Sequence, residues 1–233
     1  MIGNQADEEM EAEQNKQRGF PSEAPGTMDR SAFTLVELLA LVIMLGFISV
    51  LVVPAMVRGR QKTIETVCQS NLKAIGLAIQ AYSEDNRYIL PGPVFPLARP
   101  GLDRHPTNQL AWFLANRLGS SATIARTNVV LQFLCPAHPS ASSGNKVVAD
   151  YGLNEGKGLP GPPFGCPSPA RAPLSLTALA ASASPAACLA VTDADKGNVN
   201  PTADGWSSLP YQPVHGRMRN QLFFDWHVAG KTW

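Results

Sequence analysis

Residues 33–57 read FTLVELLALVIMLGFISVLVVPAMV, an apolar run broken only by Glu37 near its start and Pro54 near its end. A run of about 20 apolar residues is long enough to span a bilayer. As a helix, this one would reach roughly 37 Å at about 1.5 Å per residue. Beyond Val57 the pattern changes. Ile64, Val67, Cys68, Leu72, Ile75, Ile79 and Tyr82 recur at three- and four-residue spacing, and Arg58, Arg60, Lys62, Glu65, Gln69 and Lys73 fill the positions between. That is the period of a helix with one apolar face. The two patterns together predict a single helix that leaves a membrane and continues, amphipathic, to residues 84–86. Pro54 is expected to kink this helix rather than end it, since neighbouring helices can repair the lost bond. Gly59 is expected to add flexibility.

Either side of the helix the signals are weaker. Residues 1–32 are polar and acidic and show no periodicity, which predicts a disordered leader. They lack the basic start and short apolar core of a secretory signal. Met28 opens a five-residue peptide directly before the apolar run, so Met28 is expected to be the true start. Residues 91–106 are rich in proline and glycine. A short helix is predicted over 108–118, with Leu110, Phe113, Leu114 and Leu118 on one face, Thr107 or Asn108 as its cap and Gly119 as its stop. Short apolar runs at 129–134, 147–151, 188–192 and 221–224 read as strands. Six prolines within 160–173 predict an irregular surface loop, and 174–181 one or two helical turns. The expected fold is α+β: a long N-terminal helix packed by its amphipathic half on a small antiparallel sheet. Residues 1–32 form the leader, 33–57 the membrane segment, 58–86 its continuation and 87–233 the globular domain.

Composition narrows this only a little. With 233 residues, 45% of them hydrophobic, and a net charge of +1, there is room for one membrane helix and one modest domain. Nothing in the charge suggests a nucleic-acid partner. Residues 1–32 hold seven acids and three bases, a net of −4, which leaves +5 for the remainder. Cys68, Cys135, Cys166 and Cys188 are far apart and form no CxxC pair, which argues against a zinc ribbon or a thioredoxin-type site. Four cysteines allow three pairings, and the spacing does not choose among them. One or two bridges, or buried thiols acting as small hydrophobes, are both compatible with it.

Glu37 is the costly residue. A carboxylate at the centre of a membrane helix costs about 2.5–3.5 kcal/mol, less near an interface. No partner for it is evident nearby on the same helix, so it is expected to meet another chain.

The segment Ser31-Ala32-Phe33-Thr34-Leu35-Val36-Glu37 resembles the processing site of type IV prepilins and type II secretion pseudopilins. In that family a membrane peptidase cuts before the Phe and methylates the new amino group. The resemblance implies cleavage between Ala32 and Phe33. It makes Glu37 the fifth mature residue and Pro54 the twenty-second, where many pilins also carry proline. The family usually has glycine before the cut; Ala32 departs from it. A new amine at Phe33 is the kind of partner that Glu37 lacks, supplied by a neighbouring subunit. Lys16, Arg18 and Arg30 precede the apolar run and Arg58, Arg60 and Lys62 follow it, so the positive-inside rule is close to a tie. The family resemblance, not the charge, implies a cytoplasmic N-terminus.

A second resemblance covers the rest of the chain. Cys68-Gln69-Ser70-Asn71-Leu72-Lys73-Ala74-Ile75-Gly76, Ala81-Tyr82-Ser83-Glu84-Asp85-Asn86, Leu134-Cys135-Pro136, Tyr151-Gly152-Leu153-Asn154 and the ending around His215 and Phe224-Asp225-Trp226-His227-Val228 look like a pilin-like family common in planctomycetes and verrucomicrobia. That family carries His, nine residues, then Asp-Gly. Here His215 and Asp225 keep the separation and Trp226 replaces the Gly. Asp-Gly favours a tight hairpin and Trp does not, so a longer or different turn is expected.

Two patterns suggest metal chemistry. His215, Asp225 and His227 could hold a zinc-like ion, but a hydrogen bond between His215 and Asp225 that fixes a hairpin is the preferred reading. Asp193, Asp195, Asn198 and Asn200 place oxygens along one loop, as calcium sites do, although no Glu closes it and such stretches commonly form plain turns. There is no GxSxG, HExxH or P-loop pattern, and no enzyme is expected. The function implied is that of a filament subunit processed by a prepilin peptidase. Its partners would be other pilin or pseudopilin subunits, an inner-membrane assembly platform and membrane lipid. The alternative is a membrane-anchored extracytoplasmic binding module that does not polymerise.

Overall fold

The computed structural model describes residues 34–102, 108–119, 129–139 and 148–232. The expectations for residues 1–32, for cleavage at Ala32 and Phe33 and for a cap at Thr107 lie outside these residues. The chain divides into two compact units, the first ending at Val52 and the second beginning at Val53.

One helix, α1 (Leu35–Asp85), dominates the first half of the chain, and Pro54 sits inside it without ending it. Its N-terminal part is apolar and exposed, from Leu35 at 80% to Val57 at 52%, so nothing among the described residues covers it. This is one helix long and apolar enough to cross a membrane. In the second unit the same helix is amphipathic. Cys68, Leu72, Ile75, Gly76, Ala78, Ile79 and Ser83 are buried, as the three- and four-residue spacing requires. The helix ends where expected. Tyr88 N–H bonds back to the Ser83 carbonyl, with Arg87 and Tyr88 both in the left-handed region.

The buried stripe packs on a five-stranded antiparallel sheet of β1 (Leu97–Ala98), β2 (Tyr151–Leu153), β5 (Leu189–Asp193), β6 (Met218–Phe223) and β7 (Val228–Thr232), in the order β1-β2-β5-β6-β7. Strand alternation puts Tyr151, Leu153, Val191, Asp193, Asn220 and Leu222 on one side, where they pair across strands. Leu222 meets the helix at Gly76: a Cβ there would lie 2.8 Å from Leu222 Cδ1 and 3.5 Å from the Trp226 ring. The absence of a side chain at residue 76 is what lets the helix lie this close.

Among the described residues the domain also has two short helices, α2 (Leu110–Leu114) and α3 (Leu176–Ser182), and a small hairpin of β3 (Cys166–Pro167) and β4 (Ala170–Arg171). The hairpin sits inside the proline-rich stretch, which also buries Phe164. Ser175 caps α3, its hydroxyl accepting from Ala178 N–H. α2 is shorter than predicted, has no side-chain cap at Gln109, and runs through turns to Gly119 at φ +72°. The predicted strand at 129–134 is not one. Leu131–Phe133 is a 3-10 turn, because Val130 N–H bonds the Pro100 carbonyl and Val129 makes only an isolated bridge to Gly101. The strand predicted at 147–151 begins at its far end, at Tyr151.

The β6–β7 hairpin turns through three residues, Phe224, Asp225 and Trp226, with Phe223 N–H bonded to the His227 carbonyl and Trp226 N–H to the Phe223 carbonyl. Trp226 takes the left-handed position at φ +67°, where three-residue loops usually place glycine. A non-glycine residue there costs roughly 1–2 kcal/mol. Two contacts oppose that cost: the Trp226 ring lies over Gly76, and its carbonyl accepts from Lys73 Nζ at 2.7 Å.

Replacing Gly76 by Leu should therefore lower stability by about 1–3 kcal/mol through overpacking. Urea denaturation of the full chain in detergent measures this, and an unchanged midpoint would mean the helix is not seated on Leu222.

Candidate functional site

At the start of α1, Thr34 and Glu37 form a reciprocal cap. Glu37 Oε2 accepts from Thr34 N–H at 2.9 Å and from Thr34 Oγ1 at 3.0 Å, and Glu37 N–H donates to Thr34 Oγ1 at 3.3 Å. This is the capping box expected of Thr-x-x-Glu. It corrects the expectation that Glu37 has no partner on its own helix. The partner is a neutral one, however, and no cation faces Glu37 among the described residues. Thr34 was within reach of sequence reasoning, because the spacing alone identifies the box.

The second cluster lies where α1 meets the sheet. Cys68 and Cys135 form a disulfide, and Cys166 and Cys188 are free thiols. The bridge closes a loop of 67 residues, worth about 4 kcal/mol in loop-closure entropy. Around it, Asp150 Oδ2 accepts from Cys135 N–H at 2.7 Å, and His138 Nδ1 lies 3.1 Å from Asp150 Oδ1. Burial lowers the pKa of His138 against the pull of Asp150. His215, at 4% side-chain exposure, has Nε2 3.4 Å from Cys135 Sγ and 3.7 Å from Asp193 Oδ2, and burial lowers its pKa too. Asp193, on β5 directly opposite Tyr151, is pushed up to about 7 by burial, against the bond from Asn220 N–H and with the help of Asp195 and Asp150.

His215 and Asp225, expected to bond across a hairpin, do not meet. His215 lies before β6, and Asp225 in the β6–β7 turn bonds His227 next to it, through both its backbone N–H and its ring. Burial raises the Asp225 pKa, but the bonds and charge of His227 together outweigh it and lower the value. The His227 ring stacks on Phe223 at 4.4 Å. His215, Asp225 and His227 therefore do not form a common metal site.

The loop predicted to bind calcium uses its oxygens internally. Asp195 takes a two-point pair from Arg219, Nε at 2.6 Å and a terminal nitrogen at 2.8 Å, and also accepts from Gly197 N–H. Asn198 bridges Asp195 N–H and the Asp193 carbonyl. Asn200 accepts from both the N–H and the hydroxyl of Thr202. Asp193 points to the helix side and accepts from Asn220 N–H. The cation facing Asp195 is Arg219, which is 24 residues away and invisible to loop spacing. Beside this loop, on the other side of the sheet, Gly152, Thr192, Gln221, Phe223 and Lys231 line an open cleft of about 960 Å³.

The chain is 37% identical over 57 residues to type II secretion system core protein G of Pseudomonas aeruginosa. The match takes in 24% of this chain and 40% of that protein, so it spans less than half of the relative. No family model and no solved structure matches the chain. The α+β arrangement, a long N-terminal helix followed by a small antiparallel sheet, is consistent with a pilin-like fold.

Two outcomes test the buried polar groups. Arg219→Met strands the Asp195 carboxylate, which is 1% exposed, and should cost about 3–5 kcal/mol in denaturant titration; a smaller loss would mean the pair is solvated. Asp193 keeps its proton in the folded state up to about pH 7, whereas the unfolded chain releases it near pH 4. The folded state thus binds more protons between these values, and stability falls as pH rises through that window. His138 and His215, with lowered values, act in the opposite sense below about pH 6.5. Asp193→Asn keeps an acceptor for Asn220 N–H. Its melting temperature should exceed that of the wild type at pH 8 and approach it at pH 4; parallel profiles would remove the buried carboxyl from the argument.

Proposed function

We propose that this chain is a prepilin-like precursor, cleaved before Phe33 and methylated there, that assembles through α1 into a type IV pilus-like or type II secretion-like filament. The observation that carries this reading is the exposed apolar segment from Leu35 to Val57, whose one carboxylate is bonded, among the described residues, only to neutral donors of Thr34. A capping box explains why a Glu suits this turn; it does not supply a counter-charge. In the filament, the amine of Phe33 on one subunit faces Glu37 on the next. Such a pair fixes the axial register of helices that would otherwise slide on apolar contacts alone. Ala40, Gly46 and Ser49 allow neighbouring helices to approach closely. The partial identity to a type II secretion core protein supports a secretion-related, structural role rather than an enzymatic one.

In this reading the precursor sits in the bacterial inner membrane with its N-terminus cytoplasmic and its sheet domain extracytoplasmic. It meets a prepilin peptidase, other subunits and an assembly platform in turn. The open cleft beside β5 and β6 favours one second reading, a membrane-anchored binding module that never polymerises.

Glu37→Gln separates the two. Gln also completes a capping box, so helix start and membrane insertion should be unchanged while the charge is lost. The sheared filament fraction should fall by an order of magnitude or more, and membrane-fraction levels should hold. Full incorporation of the variant would remove the Glu37–amine pair from this reading, and absence of the wild-type chain from the sheared fraction would leave only the binding-module reading. Mass spectrometry should find N-methyl-Phe33 as the mature terminus.

A further inference from the structure

The Cys68–Cys135 disulfide has a third ligand-bearing neighbour. The sulfurs of Cys68 and Cys135 and a ring nitrogen of His215 all lie within 4.8 Å of one another. Two thiolates and an imidazole are a donor set suited to zinc. The spacing suits it as well. Bonds of about 2.3 Å to sulfur and about 2.0–2.1 Å to nitrogen put tetrahedral S and N corners roughly 3.5 Å apart. Cys135 Sγ and His215 Nε2 already stand 3.4 Å apart.

Asp193 gives an independent pointer. Its side chain is 1% exposed, and Oδ2 lies 3.7 Å from His215 Nε2. Its other oxygen, Oδ1, is buried with no hydrogen-bond partner among the described residues. Buried carboxylate oxygens are rarely left this way, because the lost hydration is costly. A cation beside His215 would stand next to this carboxyl group and favour its ionised form.

We propose that reduction of the Cys68–Cys135 disulfide turns this cluster into a binding site for a divalent ion of the zinc class, held by both thiolates and His215 Nε2 with Asp193 as its charge-compensating neighbour. A dithiol reductant delivers two electrons and two protons to the disulfide and becomes a disulfide itself. The two thiols then release their protons to solvent as the ion binds. The metal would join the same three segments that the bridge and the His215 contact now join: α1, the stretch after the 3-10 turn, and the approach to β6. An oxidising compartment holds the cluster as a disulfide, and a reducing one opens it to metal.

The test uses the full chain in detergent, with Cys166→Ser and Cys188→Ala so that only Cys68 and Cys135 supply thiolates. The protein is reduced with a phosphine under anaerobic conditions and titrated with cobalt(II). One equivalent should bind, giving thiolate-to-cobalt charge-transfer bands and tetrahedral ligand-field bands that zinc abolishes. The disulfide form should give neither. His215→Asn should weaken binding by at least about tenfold. The proposal fails if the reduced protein binds no stoichiometric cobalt, or if His215→Asn leaves affinity and spectrum unchanged. It also fails if reduction unfolds the domain by circular dichroism and zinc does not restore it.

Discussion

The contact between Gly76 and Leu222 governs how the domain is built. With no Cβ on the helix at that point, α1 lies against the sheet closely enough to bury Leu72, Ile75 and Ile79 completely. The same gap receives the Trp226 ring, which allows a tryptophan to occupy a left-handed turn position that glycine would fill at no cost. The hairpin chemistry and the helix seat are therefore one adjustment. A chain with glycine at the turn would not need the helix to make room for a ring. Gln69 extends the seat by donating to Asn220 Oδ1, and Asn71 by donating to the Leu134 carbonyl. These two polar residues beside the buried stripe thus reach β6 and the loop that carries Cys135.

How much of this is legible in the sequence depends on how far apart the deciding residues lie. The long helix was readable because each of its halves carries a strong local period, and it ends at Asp85, where the predicted run ends. The strands β5 and β6 were readable within a residue or three because each is a short apolar run flanked by turns. The run at 129–134 has the same composition, yet it coils into a 3-10 turn. Its register is set by the Pro100 carbonyl and by the Asp150 carboxylate on Cys135 N–H, and neither is visible from the run itself. Periodicity reports which face is buried, not what holds the backbone.

The polar sites show the same limit more sharply. Asp193, Asp195, Asn198 and Asn200 have the spacing of a cation loop, and a cation does face Asp195. It is a guanidinium delivered by β6, with planar two-point geometry that suits a carboxylate better than a point charge would. His215 is the reverse case. Its spacing to Asp225 points to a hairpin partner, but the fold turns it toward the disulfide and Asp193. In both instances the residue types were informative and the partners were not. Side-chain chemistry is written locally, while its complement arrives on another strand.

Glu37 joins the local and the distant in one residue. Locally it is a good third residue for a helix that starts at Leu35, because its carboxylate satisfies Thr34 N–H and hydroxyl and lies at the positive end of the helix dipole. Ser, Thr or Asn at the cap with Gln at the third position would satisfy the same backbone groups without bringing a charge into an apolar segment. Capping alone therefore does not require an ionised group, and an ionised group is the expensive choice where every neighbour on the helix is aliphatic. In the proposed filament the opposite charge is the Phe33 amine of a neighbouring subunit. The capping box then has a second use. It holds the carboxylate in one place at the helix end before its partner arrives, so less side-chain freedom remains to be lost when the two meet.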